Sequence, residues 1–549
     1  MLRKRFAVVL ALLLVLAVLV TSCAPKEKLA TEIFLNHTGE PPTLDPNIGQ
    51  DTTSIQCDYL LYMGLTKTNI KTMVPEPWLA TKWSVSADNL TWTFNMRKDV
   101  SWVRWDPATQ KAEKKRPVTA HDVVYSVRRA ADPATASPYA YVLYIIKNLE
   151  AVNNGESTDL ESVGVKAVDD YTVEFTLTQP AGYFPGIAGL WTASPVPKEV
   201  IEEFGDKWTE PGNIWSNGPY VLDTWEHNNK QVFKKNPFWF DAKNVAIETV
   251  NFAMVGEAST EFAMYENGEL DAVPVPSTEL DRVKADPVLS KELVIAPVLC
   301  TYYYGFNTTK PPFDNPKVRQ AFSYGLDRQK LIDTVLKGGQ LPAKTFACPG
   351  IFGSPAEDPN FKGITFDAAK GKALLAEAGY PDGKGLPDIT LMFNTSQGHQ
   401  RIAEFVQSSW KENLGVEVKL ANQEWATYLA TCRTDAPQIW RMGWCADYAD
   451  ENNWVHENFH ITKSLNQPKW AGPDAEEFSK LTEDAQAESD PAKRKALYFK
   501  AEQILCQDSA VIIPIYYYTR NTATKPYVER TFSANSGNEE IWNWKVKAH

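Results

Sequence analysis

Short segments in which apolar and polar residues alternate recur along the chain, and each of them predicts a half-buried β-strand. The clearest are 90–97 (LTWTFNMR), 171–177 (YTVEFTL) and 248–255 (ETVNFAMV). A longer alternating segment, 220–235, is interrupted by the polar tripeptide 227–229 (HNN), whose residues favour a turn. We therefore expect a β-hairpin there, with one strand on each side of the turn.

Three other segments repeat their apolar residues with the period of an α-helix. The first predicts one helix that begins after Asn315 as the N-cap and ends at Gly338. The second begins after Asp367 and ends before Gly379, a residue type favoured in the left-handed position after a helix. The third covers 490–508. Because strands and helices are mixed without a regular repeat, the pattern predicts a mixed α/β protein built of several lobes.

The length and composition indicate a large soluble protein. A chain of 549 residues is long enough for roughly three to four domains. Its hydrophobic content of 44% and charged content of 23% are ordinary for globular proteins. The formal net charge of −12 argues against nucleic acid or an anionic membrane surface as a partner. The sequence contains no GxGxxG or GxxxxGK(S/T) motif, so nothing predicts a phosphate-binding loop.

The first 23 residues have the features of an export signal. Basic residues at 3–5 precede an apolar run at 7–20, which is shorter than the about 20 residues that a membrane-spanning helix needs. The segment 20–23 (VTSC) resembles the bacterial lipobox, in which the cysteine is lipidated; a plain secretory signal with a chance cysteine is the alternative. We expect 1–23 to be a lipoprotein signal ending at lipidated Cys23. The mature protein would then be extracytoplasmic and held only by this anchor, in a periplasm or on the outer face of the cell membrane.

Export places the other cysteines where disulfide bonds persist. No two of the six form a CxxC pair, which excludes zinc ribbons and thioredoxin-type motifs. Six cysteines allow 15 complete pairings, and their spacing does not select one. The six are Cys57, Cys300, Cys348, Cys432, Cys445 and Cys506.

The segment 454–462 (WVHENFHIT) contains the spacing His-Glu-x-x-His. On a helix, His456 and His460 share one face and can bind zinc, with Glu457 placed to activate a bound water, as in zinc proteases. A catalytic site also needs a third ligand, and the metzincin continuation is broken by lysine at 463 and asparagine at 466. A glutamate at 476, 477 or 483 stays open as that ligand. We interpret the segment as a helix without metal and expect no cofactor.

The segment 441–448 (RMGWCADY) resembles a motif of the oligopeptide-binding proteins in bacterial extracellular solute-binding protein family 5, which serve ABC importers. Other segments resemble the same family in the same order: PPTLDP, WTFNMRKDVSW, PVTAHDVVYS, ADPATASPYA, SPVPKEVIEEFGDKW, SNGPYVL, CTYYYGFNTTKPPF, VRQAFSYGLDR, LLAEAGY, NQEW and AVIIPIYYY. Together they cover essentially the whole mature chain. The resemblance implies a non-enzymatic monomer without a cofactor that binds short peptides and delivers them to the permease of an ABC transporter.

The resemblance also implies a two-lobed α/β fold of the periplasmic-binding-protein type (class II, cluster C), with an extra domain that makes three in all. Domain I would be a discontinuous lobe formed by 24–62, 197–299 and 520–549. Domain II, the extra domain, would be 63–196, and domain III, the second lobe, would be 300–519. The two chain crossings between the lobes would act as hinges that let them close on a ligand.

Five residues receive a role from the same resemblance. Asp447 matches the carboxylate that pairs with the α-ammonium group of a peptide. Thr52, Gly443 and Cys445 belong to segments whose backbone would pair with the peptide as an added strand. Cys300 and Cys445 match the disulfide of the family, which would stabilise the fold by about 4–5 kcal/mol on the chain-entropy model because it closes a long loop.

The resemblance further implies residues that form the walls of the site. In each YYY triplet, neighbouring side chains point to opposite faces of a sheet, so only one face can offer hydroxyl groups to a ligand. The matching residues are the pocket aromatics Trp425 and Trp444, the cationic positions Arg441 and His399 that meet peptide carboxylates, and the triplet tyrosines Tyr303 and Tyr518.

The chain departs from the family pattern at several positions. Cys432 stands where the family has an arginine, 271–276 (DAVPVP) replaces a Tyr-Asn-Asn stretch, and a lysine is displaced to Lys337. An insertion at 102–119 is expected to form a surface loop. These changes leave peptide length and side-chain preference open, and another solute such as nickel, haem, an oligosaccharide or a signalling peptide stays an alternative ligand.

Overall fold

The computed structural model describes residues 29–488, 490–534 and 539–549. The predicted signal peptide and its lipidation site, Cys23, lie outside these residues. Within the described part of the chain, no helix is both long enough and apolar enough to span a membrane. Strands and helices are mixed along this part, as the hydrophobic pattern predicts.

The regular elements of the described residues are as follows. The strands are β1 (Leu29–Ala30), β2 (Glu32–His37), β3 (Thr66–Thr68), β4 (Pro75–Pro77), β5 (Ala80–Val85), β6 (Thr91–Met96), β7 (Ser101–Asp106), β8 (Lys111–Pro117), β9 (Val165–Asp169), β10 (Thr172–Thr176), β11 (Trp215–Ser216), β12 (Tyr220–Glu226), β13 (Lys230–Lys235), β14 (Thr249–Met254), β15 (Ala272–Pro274), β16 (Leu293–Phe306), β17 (Leu341–Pro342), β18 (Thr390–Asn394), β19 (Lys419–Gln423), β20 (Ile439–Cys445), β21 (Ile512–Thr524), β22 (Val528–Glu529) and β23 (Lys545–Lys547). The α-helices are α1 (Thr52–Leu61), α2 (Ala120–Ala131), α3 (Leu149–Asn153), α4 (Phe184–Ile187), α5 (Lys198–Phe204), α6 (Ala258–Glu266), α7 (Leu280–Ala285), α8 (Leu289–Glu292), α9 (Pro316–Tyr324), α10 (Arg328–Leu331), α11 (Ala368–Glu377), α12 (Gln397–Leu414), α13 (Trp425–Asp435), α14 (Val455–Phe459), α15 (Pro473–Ala487) and α16 (Pro491–Gln503).

Two sheets join distant parts of the chain. In the first, β12, β13 and β14 are antiparallel neighbours, and β2 adds to β14 in parallel. The turn between β12 and β13 contains residues 227–229, so the predicted hairpin is confirmed. In the second, β23 pairs with both β1 and β22. Segments near the beginning, middle and end of the described chain therefore share ladders of backbone hydrogen bonds.

A four-stranded antiparallel sheet, in the order β5-β6-β10-β9, contains the two strands predicted at 90–97 and 171–177. The insertion at 102–119, predicted as a loop, is instead a β-hairpin of β7 and β8. Its cross-strand neighbours include Arg104 and Glu113, whose opposite charges favour pairing. Gln110 adopts a positive φ of 55° in the turn between the strands.

A seven-stranded sheet has the order β15-β21-β16-β20-β18-β19, with β17 also paired to β21. Its two long strands, β16 and β21, are antiparallel and contain the two YYY triplets. Cys300 of β16 lies directly opposite Cys445 of β20, and the two form a disulfide bond with a sequence separation of 145. This disulfide, which the resemblance implied, is confirmed.

The two faces of this sheet pack against separate hydrophobic cores. Tyr302 and Tyr304 lie in the core that contains Trp410 of α12. Tyr303, between them, lies in the other core beside Phe346. The alternation predicted for the triplet is therefore confirmed, because successive side chains of a strand point to opposite faces.

The predicted helix from Asn315 to Gly338 is divided, so the prediction of a single helix is wrong. Asn315 does cap α9 by accepting from the backbone N–H of Lys317. The helix ends before Gly325, where a Cβ atom would lie 2.6 Å from Leu414, so close packing against α12 excludes a side chain. The next helix, α10, starts afresh and has its own cap, Asp327.

The other two predicted helices are present. Asp367 caps α11 by accepting from the N–H of Lys370, and Gly379 after its end has a φ of +94°. The third corresponds to α16, which continues into a wider helical turn at 504–508.

Candidate ligand-binding cavity

A cavity of about 460 Å³ lies where several separate parts of the chain meet. Its walls include the start of α1, the residues Tyr139 and Trp191, the start of α13, the middle of β16, β20 with the residues after it, and the second half of β21. Nine of the ten predicted site residues line it: Thr52, Tyr303, Trp425, Arg441, Gly443, Trp444, Cys445, Asp447 and Tyr518. The tenth, His399, is not among the lining residues.

Strand β20 presents part of one edge to this cavity. On one side, β16 pairs with β20 along its whole length; on the other, β18 reaches only Ile439 and Trp440. The N–H and C=O groups of Arg441 both bond to the hydroxyl of Tyr428, so they point away from β16. Gly443 and Cys445 have the same parity along the strand, and their backbone groups therefore point to the same open side.

Gly443 also lets other side chains approach this edge. A Cβ atom at this position would lie 3.1 Å from the Tyr518 hydroxyl and 3.4 Å from Nη2 of Arg441. A side chain here would therefore crowd the two polar groups that end above the strand. The glycine keeps this part of the cavity wall flat and polar.

Asp447 follows β20 and is held by two neutral donors. The hydroxyl of Tyr139 donates to Oδ2 at 2.6 Å, and the amide Nδ2 of Asn453 donates to the same oxygen at 2.8 Å. The backbone N–H of Asp447 donates to Asn453 Oδ1 at 2.9 Å. No described residue donates a hydrogen bond to Oδ1 of Asp447. Burial raises the pKa of Asp447 to about 6, and the bonds from Tyr139 and Asn453 limit this rise.

Arg441 is a buried cation whose contacts are also neutral. Only 7% of the residue is exposed, and Nη2 donates to the Tyr518 hydroxyl at 2.6 Å while Nη1 donates to Asn394 Oδ1 at 3.1 Å. The guanidinium lies 4.6 Å from the centre of the Tyr302 ring. Its Nε–H has no partner, and no carboxylate of the described residues forms an ion pair with it. The pKa of Arg441 is raised by the surrounding tyrosines.

His399 lies behind Arg441 rather than in the cavity wall. Its Nδ1 is 3.4 Å from the Tyr302 hydroxyl, and Tyr302 in turn stacks beneath the Arg441 guanidinium. Burial, with a smaller effect from Arg441, holds the pKa of His399 well below its usual range, so the imidazole is neutral.

The triplet tyrosines occupy different positions in the cavity. Tyr518 ends in the wall beside Arg441. Tyr303 is only 2% exposed and packs against the rings of Trp440 and Phe459, so it contributes to the base of the cavity mainly as packed core.

Sequence reasoning missed three contributors to the site: Tyr139, Trp191 and Asn453. Tyr139 stacks with Trp444 at 6.4 Å and packs against Trp191 at 4.9 Å. It belongs to the segment ADPATASPYA, which resembles the family, so a signal for it was present. Asn453 gave no sequence signal, because its role depends on how the chain turns back toward Asp447 after β20.

Arg433 contacts Gln50, one of the residues that line the cavity. It follows Cys432, the position at which the chain departs from the family arginine, and its guanidinium donates to the side chain of Gln50. Cys432 itself is buried in the core.

Comparisons with known proteins agree with this architecture. Residues 74–466 match the model of the bacterial extracellular solute-binding proteins, family 5 Middle. The periplasmic oligopeptide-binding protein OppA of Escherichia coli is 37% identical over 90% of this chain and 88% of its own. The chain belongs to solute-binding protein family 5.

Members of this family are solute-binding proteins and not enzymes. Among solved structures, Haemophilus influenzae OppA in complex with RPPGFSPFR matches with a TM-score of 0.85 at 31% identity, over 95% of this chain and 100% of that chain. The murein tripeptide-binding protein MppA of Escherichia coli matches equally well, with a TM-score of 0.85 at 33% identity over 95% and 100% of the two chains.

The same MppA in its unliganded open form gives a TM-score of only 0.65, at the same 33% identity and over 96% of this chain and 99% of that chain. Sequence and coverage are nearly equal in the two comparisons, so the difference reflects the relative placement of structural parts. The arrangement described here therefore differs from the open form of this relative.

In this family member, the two histidines of the HExxH segment lie beside each other but bond to different partners. Their rings are 4.6 Å apart; His456 Nδ1 meets the Thr482 hydroxyl at 3.0 Å, and His460 Nε2 meets Glu483 at 3.2 Å. The carboxyl of Glu457 bonds to neither ring. Among the described residues, no group of three or more potential ligands is arranged to hold a metal ion.

Proposed function

We propose that this chain is the extracytoplasmic, lipid-anchored substrate-binding protein of an ABC importer and that it captures short peptides. Relatives named for oligopeptide and murein peptide binding, one of them solved with a peptide, support the proposal. The observation that carries it is Asp447, a cavity carboxyl with one unoccupied oxygen beside the open edge of β20. The protein changes no bond in its ligand and delivers it to a permease.

The chemistry of the cavity fits what all peptides share. A receptor for varied sequences must hold the backbone and the terminal charges, since the side chains differ. Gly443 and Cys445 offer backbone groups to which an extended peptide can add as a strand. Oδ1 of Asp447 is available for the α-ammonium group, which needs an anionic partner when it is buried. Trp425 and Trp444 provide apolar walls for side chains.

The opposite end of the same edge fits a carboxylate. Arg441 lines the cavity, and its hydrogen-bond partners there, the Tyr518 hydroxyl and the Asn394 amide oxygen, are neutral, so neither of them balances its positive charge. We assign it to the α-carboxylate of short peptides or to an acidic side chain of longer ones. His399, neutral and behind Arg441, would act through Tyr302 rather than by direct contact.

The domain boundaries of the proposal are 24–62 with 197–299 and 520–549 for one lobe, 63–196 for the extra domain, and 300–519 for the second lobe. The long strands β16 and β21 cross between the proposed lobes near 299 and 519. Closure about these two strands would enclose the peptide, and the closed form would dock on the permease.

Native mass spectrometry of the protein as purified tests the proposal. We expect a heterogeneous set of bound short peptides, each of which raises the melting temperature when added back to stripped protein. The matched control is the same protein unfolded and refolded before the measurement. A single defined metal, haem or oligosaccharide, with no stabilisation by any peptide library, would overturn the assignment in favour of another solute.

A further inference from the structure

The middle glutamate of the HExxH segment is connected to the cavity through a single side chain. Nδ2 of Asn453 donates one hydrogen bond to Asp447 Oδ2 and another to Glu457 Oε2, each at 2.8 Å. Asn453 is 0% exposed, and its Oδ1 accepts from the backbone N–H of Asp447 and from the indole of Trp444. Asn453 therefore bridges two carboxyl groups, one in the cavity wall and one behind it.

Glu457 is a buried carboxyl group without a cation. It is 3% exposed, and its donors are the Tyr448 hydroxyl and the amides of Asn452 and Asn453. No lysine, arginine or histidine of the described residues forms an ion pair with it. Burial, with the nearby charges of Asp447 and Asp450, raises the pKa of Glu457 to about 8.

This geometry determines which way the Asn453 amide points. Both hydrogens of its NH₂ group face carboxyl oxygens, and its carbonyl oxygen faces two N–H donors. A flipped amide would direct its oxygen at two carboxyls and lose all four bonds. Glu457 therefore favours the orientation in which Asn453 occupies Oδ2 of Asp447 and leaves Oδ1 facing the cavity.

We propose that Glu457, acting through the amide of Asn453, is the positioning residue for Asp447 and shares with it the charge of the ligand's ammonium group. This inference rests on the proposed function. A cation bound at Asp447 would attract negative charge onto Glu457, which would then release its proton. Peptide binding near neutral pH would thus expel a proton from a group outside the cavity wall.

Other titratable groups face Glu457 from the elements around it. The proton that Glu457 releases on peptide binding must therefore be distinguished from protons released by these groups. Asp447 and Asp450 are the carboxyl groups whose charges raise the pKa of Glu457. Four tyrosine hydroxyls interact electrostatically with these three carboxyl groups. A second cavity of about 340 Å³ on the far side also has ionisable walls. These groups are Asp447, Asp450, Tyr139, Tyr141, Tyr144, Tyr183, Tyr448, Glu150, His456, Lys463 and Glu483.

The variant Glu457→Gln tests the inference, because it keeps the shape and removes the ionisation. Glu483→Gln is the matched control, since Glu483 lines the second cavity but bonds to His460 and Lys463 instead. Titration calorimetry at pH 7 in buffers of different ionisation enthalpy measures affinity and protons released together. The ligands are one tripeptide with a free N-terminus and the same tripeptide acetylated.

At pH 7 we expect E457Q to bind the free tripeptide about twofold more weakly and to release about 0.3 to 0.5 fewer protons than wild type, as expected when a group with a pKa near 8 is lowered by about one unit. The acetylated tripeptide should bind E457Q, E483Q and wild type with equal affinity. If E457Q does not fold, Asn453→Ser breaks the same connection; its loss of affinity includes the direct bonds of Asn453 to Asp447, so its test is the same drop in proton release.

Two outcomes separate this inference from the proposed function. If wild type discriminates between free and acetylated tripeptides but E457Q matches it in affinity and proton release, Glu457 has only a packing role. If wild type binds both tripeptides equally, the ammonium role of Asp447 fails together with this inference, and if it binds neither, the peptide assignment fails as well.

Discussion

The two ends of the exposed edge of β20 carry opposite charges, and both face the same cavity. Arg441 at one end is held by Asn394 and Tyr518, which belong to the same seven-stranded sheet. Asp447 at the other end takes one of its two side-chain bonds from Tyr139, which is more than 300 residues away in the chain and outside the seven-stranded sheet. The cationic end is thus complete within one sheet, whereas the anionic end depends on how the parts of the molecule meet.

This difference indicates that the two charges have different roles. If the proposed lobes move as rigid bodies, a charge held within one sheet keeps its position. A charge held between the proposed domains would be fully ordered only when they are together, so we propose that ligand binding and closure are coupled there. We expect changes at Asp447 to have larger effects than changes at Arg441.

Replacing Asp447 with Asn should have the largest effect. The variant keeps the shape but leaves a buried α-ammonium group without an anionic partner, which costs about 3–5 kcal/mol. Peptides with free N-termini should bind at least about a hundredfold more weakly by calorimetry. Acetylated peptides provide the control and should bind wild type and D447N alike; an equal loss for both would remove Asp447 from this role.

Replacing Arg441 with Met should weaken peptide binding less than the change at Asp447. The loss should depend on the C-terminus of the peptide and not on its N-terminus. Met keeps the apolar stem against Tyr302 but removes the guanidinium that can meet a carboxylate. Since hydrogen bonds to charged groups contribute about 1.5–3 kcal/mol, short peptides should bind about 10- to 100-fold more weakly. C-terminally amidated peptides should lose little. The comparison between the two ends would fail if free and amidated peptides lost affinity equally.

Affinity should also depend on pH through Asp447. Because its pKa in the ligand-free protein is about 6, the carboxylate that pairs with ammonium is present above that pH and is lost below it. Between pH 7 and pH 5, binding of a free-amine peptide should weaken by about tenfold. The D447N variant should show a much flatter profile over this range, and a profile unchanged by the substitution would assign the pH dependence to another group.

Replacing Tyr139 with Phe should have the smallest effect on affinity. This variant is also the most direct test of the proposed closure. The change removes the hydroxyl that bonds to Asp447 but keeps the ring that stacks on Trp444. A hydrogen bond to a charged group contributes about 1.5–3 kcal/mol, but Asn453 still donates to the same oxygen, so only part of this is lost and affinity should fall about five- to tenfold. Small-angle scattering with and without peptide should show less complete closure at equal occupancy; unchanged closure would make Tyr139 a contact of the ligand site alone.

Much of the fold could be predicted from local sequence patterns. The hairpin at 220–235, the caps at Asn315 and Asp367, and the alternation of the YYY triplets depend on nearby residues, and all are present. The single helix predicted over 315–338 is divided at 325–327, where Asp327 caps a new helix, and the close approach of Leu414 to Gly325 is a contact that no local pattern contains. The segment 102–119 is expected to be a surface loop because it is an insertion relative to the family, whereas β7 and β8 pair with each other there and β7 also pairs with β11.

The candidate site also has features that the sequence predicts and features that only the structure reveals. The motif around 441–447 identified the strand, the disulfide cysteines and the candidate charges, because these residues are neighbours in sequence or match a family pattern. The bond from Tyr139, the amide of Asn453 and the link to Glu457 appear only in three dimensions, since each joins segments that are brought together by packing.

The sequence by itself therefore determined which chemistry is present: a carboxylate and a guanidinium six residues apart, near a strand that pairs with its neighbour through a disulfide. Only the tertiary structure decided which of these groups have free atoms, which face the cavity, and which glutamate lies behind the acid. The physical reason is that the sequence lists every charge, while the availability of a charge depends on burial and on hydrogen-bond partners supplied by distant segments.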